Sequence, residues 1–431
     1  MLKMYYVCIE PLNTLIMRTF VERGRTFAWG VFAAILAVGS GFVVSCSDVD
    51  PDEEDNVFEP IELSSRTKSF VTEGNRFAIQ LLQEVERQEG KSFMVSPLSL
   101  NLALGMLLES APQCEDADKV MDMLGYPEGS REEIREFADL MMERLPQMDK
   151  KTTVSLANLA VTDSDKGKIN PDFAQSARTY YHALTESMSF SNPGKVAERV
   201  NDWAYERTEK MIREVVRESD VKDWTFLLAN ALYFKGKWMG PFEKGKTGDE
   251  MFHSGSGVDV KVKMMKKSDK IDYGENKTCQ AVNLPYGNGA FSMQVYLPKA
   301  GIDVEGLLYS PENITSLPFS LHEVDLWLPR FSIEKKVDLK DILESMSGGA
   351  ILRCPYYVLD VPSALSAAFQ VASIKVDEEG TEAAAVTVVG GKLTAAPSGE
   401  KAVFHADRPF VFTITETSTQ AVLFAGVYRG E

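Results

Sequence analysis

Apolar residues recur along this chain with two periods, and the switches between them outline its elements. Phe70, Phe77, Leu81, Leu82 and Val85 return at helical spacing, and so do Leu102, Met106 and Leu107. Ser96-Pro97 precedes the second set, offering a cap and a first-turn proline, so a helix is predicted to start there. Val120 to Leu124 and Ile134 to Leu145 read as further amphipathic helices, and Leu339 to Met346 as a short one. Val154 to Val161 reads as a strand. Phe226 to Phe234 is a nearly continuous apolar run, which predicts a central strand buried on both faces. Its one strongly polar member, Asn230, needs hydrogen-bond partners there. Val258 to Pro298 alternates short strands and turns, and Val324 to Ile333 alternates as a strand does. No internal repeat is visible.

One late stretch fits neither period. After the apolar positions Ala367, Phe369, Val371, Ile374 and Val376 comes DEEGTEAAAVTVV, residues 377–389. Its alanines and Glu382 favour helix, whereas Val386, Thr387, Val388 and Val389 favour strand. Gly390-Gly391 and then Pro397, Ser398 and Gly399 read as loop. If the stretch were extended, Thr381, Ala383, Ala385, Thr387 and Val389 would share one face, and none of the residues from Thr381 to Ala385 is large. Such a segment suits a loop in one state and a strand between existing strands in another; the plainer reading is a linker or a short helix.

Composition narrows the choices. A chain of 431 residues with 44% apolar content holds one large domain or two smaller ones. A net charge of -17 argues against nucleic acid as a partner, since phosphate binding needs a basic surface. Cys114, Cys279 and Cys354 lie far apart with no CxxC or zinc spacing, and are expected to be buried thiols. There is no HExxH, GxSxG or GxxxxGK[ST] motif, which leaves a hydrolase reading without a nucleophile-base pair. At the N-terminus, Arg18, Arg23 and Arg25 precede an apolar run, Phe27 to Val44, that ends in Val43-Val44-Ser45-Cys46. Basic flank, apolar segment and small residue make a secretory signal. Its last four residues resemble a bacterial lipobox, which implies a signal over 1–45 and a lipidated Cys46; a spanning helix is the alternative. Met17 is a second possible start. The acid-dense residues after Cys46 form a tether over 46–65. They also resemble the surface-export signal of Bacteroides-type lipoproteins, so an outer-membrane lipoprotein exposed at the cell surface is expected, with a periplasm-facing one as the alternative. The lipid anchor at Cys46 would be the sole membrane contact.

Several segments resemble the serpin family. EEGTEAAA, residues 378–385, resembles the proximal hinge of the reactive-centre loop of inhibitory serpins, and FHADRPFVFTI, 404–414, resembles the family's C-terminal signature. FMVSPLSL (93–100), the segment from Val200-Asn201-Asp202-Trp203 to Ile212, and Phe234-Lys235-Gly236-Lys237-Trp238 with Pro241-Phe242 and Met251-Phe252-His253 also resemble it, as do Asn283 to Gly287 and Met293 to Leu297. The resemblance covers roughly 66–431 as one domain. It implies an α+β fold of three β-sheets, eight or nine helices and an exposed reactive-centre loop at about 378–403.

The resemblance further implies a suicide inhibitor of serine proteases, not an enzyme, acting as a monomer without a cofactor. A protease attacks the loop, and the cut loop inserts into the main sheet as a new strand before the acyl-enzyme is hydrolysed. Glu378, Glu379, Gly380, Thr381, Glu382, Ala383, Ala384 and Ala385 would be the hinge. Counting from Gly380 places the reactive bond at Thr394-Ala395, and counting back from Pro409 places it at Ser398. Thr394 suits elastase-like or subtilisin-like proteases, Lys392 trypsin-like ones and Leu393 chymotrypsin-like ones. Ser96, Ser99 and Asn230 match the polar cluster where the sheet opens; the family often has a histidine there, and the aligned residue here is Gln370. Trp238 matches the tryptophan at the top of the sheet, and Arg330 with Glu378 an ion pair that closes the gap. If partly exposed, that pair would contribute at most about 1 kcal/mol. The alternatives are a non-inhibitory serpin acting as a surface binding or carrier protein, a tethered hydrolase, and an adhesive lipoprotein.

Overall fold

The computed structural model describes residues 56–126, 129–222, 224–254, 257–381 and 401–431. Its first half runs α1 (Ser65–Gln88), β1 (Phe93–Val95), α2 (Pro97–Leu108), α3 (Glu115–Met123), α4 (Arg131–Arg144), β2 (Thr152–Asp163), α5 (Pro171–Tyr180), β3 (Leu184–Met188), α6 (Pro193–Arg207), α7 (Glu218–Val221) and β4 (Phe226–Lys237). The second half is mostly strand. It runs β5 (Gly248–His253), β6 (Asp259–Glu275), β7 (Cys279–Tyr286), β8 (Phe291–Pro298), two short helices α8 (Val304–Leu308) and α9 (Glu312–Thr315), β9 (Ser320–Pro329) and β10 (Phe331–Asp338). Then come α10 (Lys340–Met346), α11 (Ala350–Arg353), β11 (Phe369–Val376), β12 (Gly380–Thr381), β13 (Lys401–His405), β14 (Phe410–Glu416) and β15 (Val422–Tyr428).

The helices begin where side chains satisfy their first amides. Ser96 Oγ accepts from the Ser99 amide with Pro97 in the first turn of α2, Ser130 and Glu133 form a reciprocal box at α4, and Asn170 caps α5. Eleven α-helices are present among the described residues, more than the eight or nine expected, because α7, α8, α9 and α11 are single turns of four or five residues. α2 is buried along almost its whole length and packs on both β4 and β15, so it lies between the two sheets as the central helix.

Two hydrogen-bonded sheets are present among the described residues. The first has the order β10-β11-β12-β4-β2-β3, antiparallel except for β2 with β3. The second is nine-stranded, β1-β15-β14-β8-β7-β6-β9-β13 with β5 on β6. Three sheets were expected. They merge into two because β6 is long: it pairs with β5 and β9 over most of its length and with β7 over Asp272 to Glu275. α6 covers one face of the six-stranded sheet, where Val196, Val200, Trp203 and Ala204 pack on Leu159, Val161, Leu227 and Ala231. The larger core fills the space behind that sheet.

The β14–β15 hairpin is tied by one carboxylate. Glu416 is fully buried and accepts hydrogen bonds from the Ser418 amide and hydroxyl, both at 2.7 Å, and from the Thr419 amide at 2.7 Å and hydroxyl at 2.5 Å. The Ser418 hydroxyl also accepts from the Ile61 amide at 2.9 Å, so the segment leading into α1 docks on the same turn. A Glu416→Gln exchange turns an amide NH2 toward two donors whichever way it flips. It should lower stability by about 2 kcal/mol, read as a fall in the urea midpoint with an unchanged slope.

Candidate functional site

The site lies along the line where β11 and β4 face each other in the six-stranded sheet. No ladder joins the two strands among the described residues; β12, two residues long, pairs with both. Asp377 to Gly380 forms the turn from β11 into β12: the Asp377 amide donates to Gly380 O at 2.9 Å and the Glu379 amide to Asp377 Oδ1 at 3.0 Å. Thr381 then sits opposite Val376 on one side and Gly236 on the other. Gly380 permits this approach. Its φ is +153°, and a Cβ there would lie 2.1 Å from the Gly236 carbonyl oxygen. Thr381 is buried, and its hydroxyl lies 2.7 Å from that of Tyr286.

Aromatic and charged groups hold this end shut. Trp238 is buried and stacks on Tyr286 at 4.4 Å with 12° between planes. Its Nε1 donates to Asp377 O at 2.9 Å, and its amide donates to Glu379 O at 2.9 Å. The carboxylate of Glu378 is 2% exposed, receives the Thr247 hydroxyl at 2.7 Å and pairs with the Arg330 guanidinium. Its backbone carbonyl accepts from the Phe242 amide at 2.8 Å. Burial pushes the Glu378 carboxyl up, but hydrogen bonds from Arg330 and Thr247 outweigh it, and the group titrates below the usual glutamate range. The surface-pair figure therefore does not describe this contact: Arg330 is half exposed, but its loss would leave a buried carboxylate with fewer donors. Glu379 forms a second, exposed pair with Lys244.

The middle of the line is closed by amides and hydroxyls. Gln370 on β11 makes a two-point contact with Ser96: its Oε1 accepts from the Ser96 amide at 2.6 Å and its Nε2 donates to the Ser96 carbonyl at 3.0 Å. The Ser96 hydroxyl donates to Leu423 O at 2.7 Å. On the β4 side the Ser99 hydroxyl donates to Asn230, and Asn230 Nδ2 donates to Asn158 Oδ1 at 2.6 Å. Asn158 Nδ2 ends the chain on Tyr181 O at 2.6 Å. Between Gln370 and Asn230 a cleft remains, bordered also by Leu104, Leu365 and Ala367, with about 60 Å³ open to water. That volume admits a few waters but no strand. At the lower end Trp224 stacks on Phe369 at 6.0 Å, and the Lys336 ammonium lies 4.0 Å from the Phe369 ring centroid.

The structure thus gathers Ser96, Ser99, Asn230, Trp238, Arg330, Gln370, Glu378, Glu379, Gly380 and Thr381 along one line. The reactive-bond candidates Thr394, Ala395, Lys392, Leu393 and Ser398, the hinge residues Glu382, Ala383, Ala384 and Ala385, and Cys46 lie outside the described residues. Of the three cysteines expected to be buried, Cys279 and Cys354 are, whereas Cys114 is partly exposed. Sequence reading missed Thr247, Tyr286, Asn158 and the Trp224–Phe369 stack. Asn158 carried a usable signal, being the polar residue in the otherwise apolar end of a predicted strand. Thr247 carried none.

Comparison with known proteins shows the family. A family model described as "Serpin (serine protease inhibitor)" matches residues 72–429. Antichymotrypsin-2 of Bombyx mori is 30% identical over 372 residues, covering 82% of this chain and 96% of that one. Serpin-ZXA of Oryza sativa subsp. japonica is 32% identical over 367 residues, covering 78% and 89%. Among solved structures, the thermophilic serpin tengpin in its native state superimposes with a TM-score of 0.74 at 24% identity, covering 87% and 97%. Thyroxine-binding globulin in complex with thyroxine does so at 0.72 and 23%, covering 84% and 98%. These two share the fold. With a family model spanning most of its length, the chain belongs to the serpin family, a family of serine protease inhibitors and not of enzymes.

Proposed function

We propose that this serpin is an inhibitor of the trapping kind: a serine protease cleaves its exposed loop, and the loop inserts between β11 and β4 while still bound to the protease as an acyl-enzyme. The observation that carries the reading is β12. Gly380 and Thr381 already occupy the top of the line between the two strands, in antiparallel register with both. The following small residues, Ala383 and Ala385, share the face of Thr381 in an extended chain. Glu382 falls on the opposite face. Each inserted residue contributes about 0.5–1.5 kcal/mol of net hydrogen bonding, so a dozen give on the order of ten kcal/mol. Thr394-Ala395 is the favoured reactive bond, for elastase-like or subtilisin-like targets, with Lys392, Leu393 and Ser398 as further positions. The protein is proposed to act as a monomer at the cell surface, held by a lipid on Cys46.

A second reading is a non-inhibitory serpin serving as a surface binding protein. Thyroxine-binding globulin, whose fold this chain shares, forms a complex with thyroxine. The small residues of the hinge favour the inhibitor.

Incubation with an elastase, a trypsin, a chymotrypsin and a subtilisin separates the two. A band stable to denaturing gels at the summed mass is expected with at least one of them. Loop cleavage without such a band across the panel would overturn the inhibitory reading. Within the inhibitor, Thr381→Arg places a long cation where the buried threonine meets Tyr286, and should convert the protein into a substrate, lowering complex yield at least tenfold while leaving cleavage intact. Acid should also loosen the top of the line. Because the Glu378 carboxyl is held low, its stabilisation is full above the ordinary glutamate value of about 4.3. It is lost as pH falls through the depressed folded-state value. Spontaneous loss of inhibitory capacity should therefore accelerate on acidification, and Glu378→Gln should lose capacity faster at neutral pH with a flatter pH profile.

A further inference from the structure

We propose that Cys114 and Cys354 are a modification site: a thiol pair that closes to a disulfide on exposure to an oxidant of the disulfide class, such as oxidised glutathione. The proposal goes beyond the inhibitory reading and its test does not depend on it. Export of the chain would place the pair in an oxidising compartment.

The two residues are 240 positions apart in the chain and meet through the packing of two helices. Cys114 is the residue before α3 and Cys354 the residue after α11. The segments are bonded to each other on both sides of the pair. On one side Arg353 pairs with Asp116 at 2.7 Å, and on the other the Tyr357 amide donates to Ser110 O at 2.7 Å. Between these two fixed points the Cys354 and Cys114 side chains are neighbours. Cys354 is buried, and Cys114 is partly exposed. Cys279 serves as the internal contrast: it is fully buried on β7, with its sulfur 3.8 Å from the Asn313 carbonyl.

The exposure difference sets the order of events. The Cys114 thiolate attacks oxidised glutathione, forming a mixed disulfide and releasing one glutathione thiolate. The Cys354 thiol then loses its proton and attacks the Cys114 sulfur, expelling the second glutathione. Two protein thiols lose two electrons and two protons, and one glutathione disulfide gains the electrons. Burial, then the neighbouring Cys114, pushes the Cys354 thiol up to about 12, so closure is the slow step and speeds up as pH rises toward that value.

The cross-link would act on the inhibitor's working parts. Cys354 opens the connection that reaches β11 through Leu365, Ala367 and Ala368, which border the cleft, and Cys114 follows α2, whose Ser99 and Leu104 form its other wall. A bond between them would tie the segment that follows α2 to the segment that leads into β11.

The test is peptide mapping of the folded, full chain after treatment with oxidised glutathione at a pH of about 8.5, the ordinary cysteine value. Free thiols are alkylated before digestion without reductant. The expected product is one pair of peptides joined through Cys114 and Cys354, lighter by two hydrogens, with Cys279 alkylated. In Cys354→Ser the joined pair should vanish, and Cys114 should carry a glutathione. The proposal is overturned if Cys114 and Cys354 are both recovered alkylated. It is equally overturned if Cys114 stays capped by glutathione while Cys354 is alkylated, or if the variant still yields a cross-link at Cys114.

Discussion

Everything in this molecule turns on two strands that face each other without sharing a ladder among the described residues. Backbone amides and carbonyls of a central sheet ordinarily pair with a neighbour, and an open strand edge is a template waiting for one. Among the described residues, β4 and β11 are joined only by the two residues of β12. Below that, side chains hold the line: Trp238, Glu378 and Arg330 close the top, Gln370 and Asn230 bind Ser96 and Ser99 on either side of the cleft, and Trp224 stacks on Phe369 at the bottom. Each of these contacts can be lost singly, which a continuous ladder would not permit. On the proposed mechanism, this is the line along which the sheet would open.

The polar contacts also differ in kind. Those at the top are ionic or involve the hinge's own backbone, so they report on the position of the loop. Those in the middle tie strands to α2, and Gln370 meets this need with an amide that both donates and accepts. It reaches Ser96 at two backbone atoms, a geometry that an imidazole would have to satisfy differently. Asn230, the one polar interruption in an apolar strand, is partly buried at the cleft and finds partners in Ser99 and Asn158.

Much of this was legible in the sequence, for identifiable reasons. The run Phe226 to Phe234 announced a central strand by composition alone, though Leu228, Ala229, Asn230 and Leu232 are only partly buried, and Ser96-Pro97 announced the start of α2 by capping chemistry. Gly380 and Thr381, the two small residues of the expected hinge that lie among the described residues, are the two that form β12. What the chain did not disclose were contacts between distant segments. The resemblance paired Glu378 with Arg330; only the fold shows that its carboxylate is buried and also receives the Thr247 hydroxyl. Tyr286 and Trp238 became a stacked pair through the meeting of both sheets, which no periodicity encodes. The continuity of β6 across two expected sheets was hidden for the same reason: a bend that keeps pairing leaves no break in the alternation.

The pairing of Thr381 with Gly236 makes β4 a ruler. The strand extends ten residues from Gly236 back to Phe226, and an antiparallel partner in unbroken register would bring residue 391 level with Phe226. At about 3.4 Å per residue, that is a path of about 34 Å. Anything attached a few residues further along the loop would finish at the opposite pole of the sheet from where it first made contact. On the proposed mechanism the length of one strand would set how far a captive is carried, and a change of two residues in β4 would move its destination by about 7 Å.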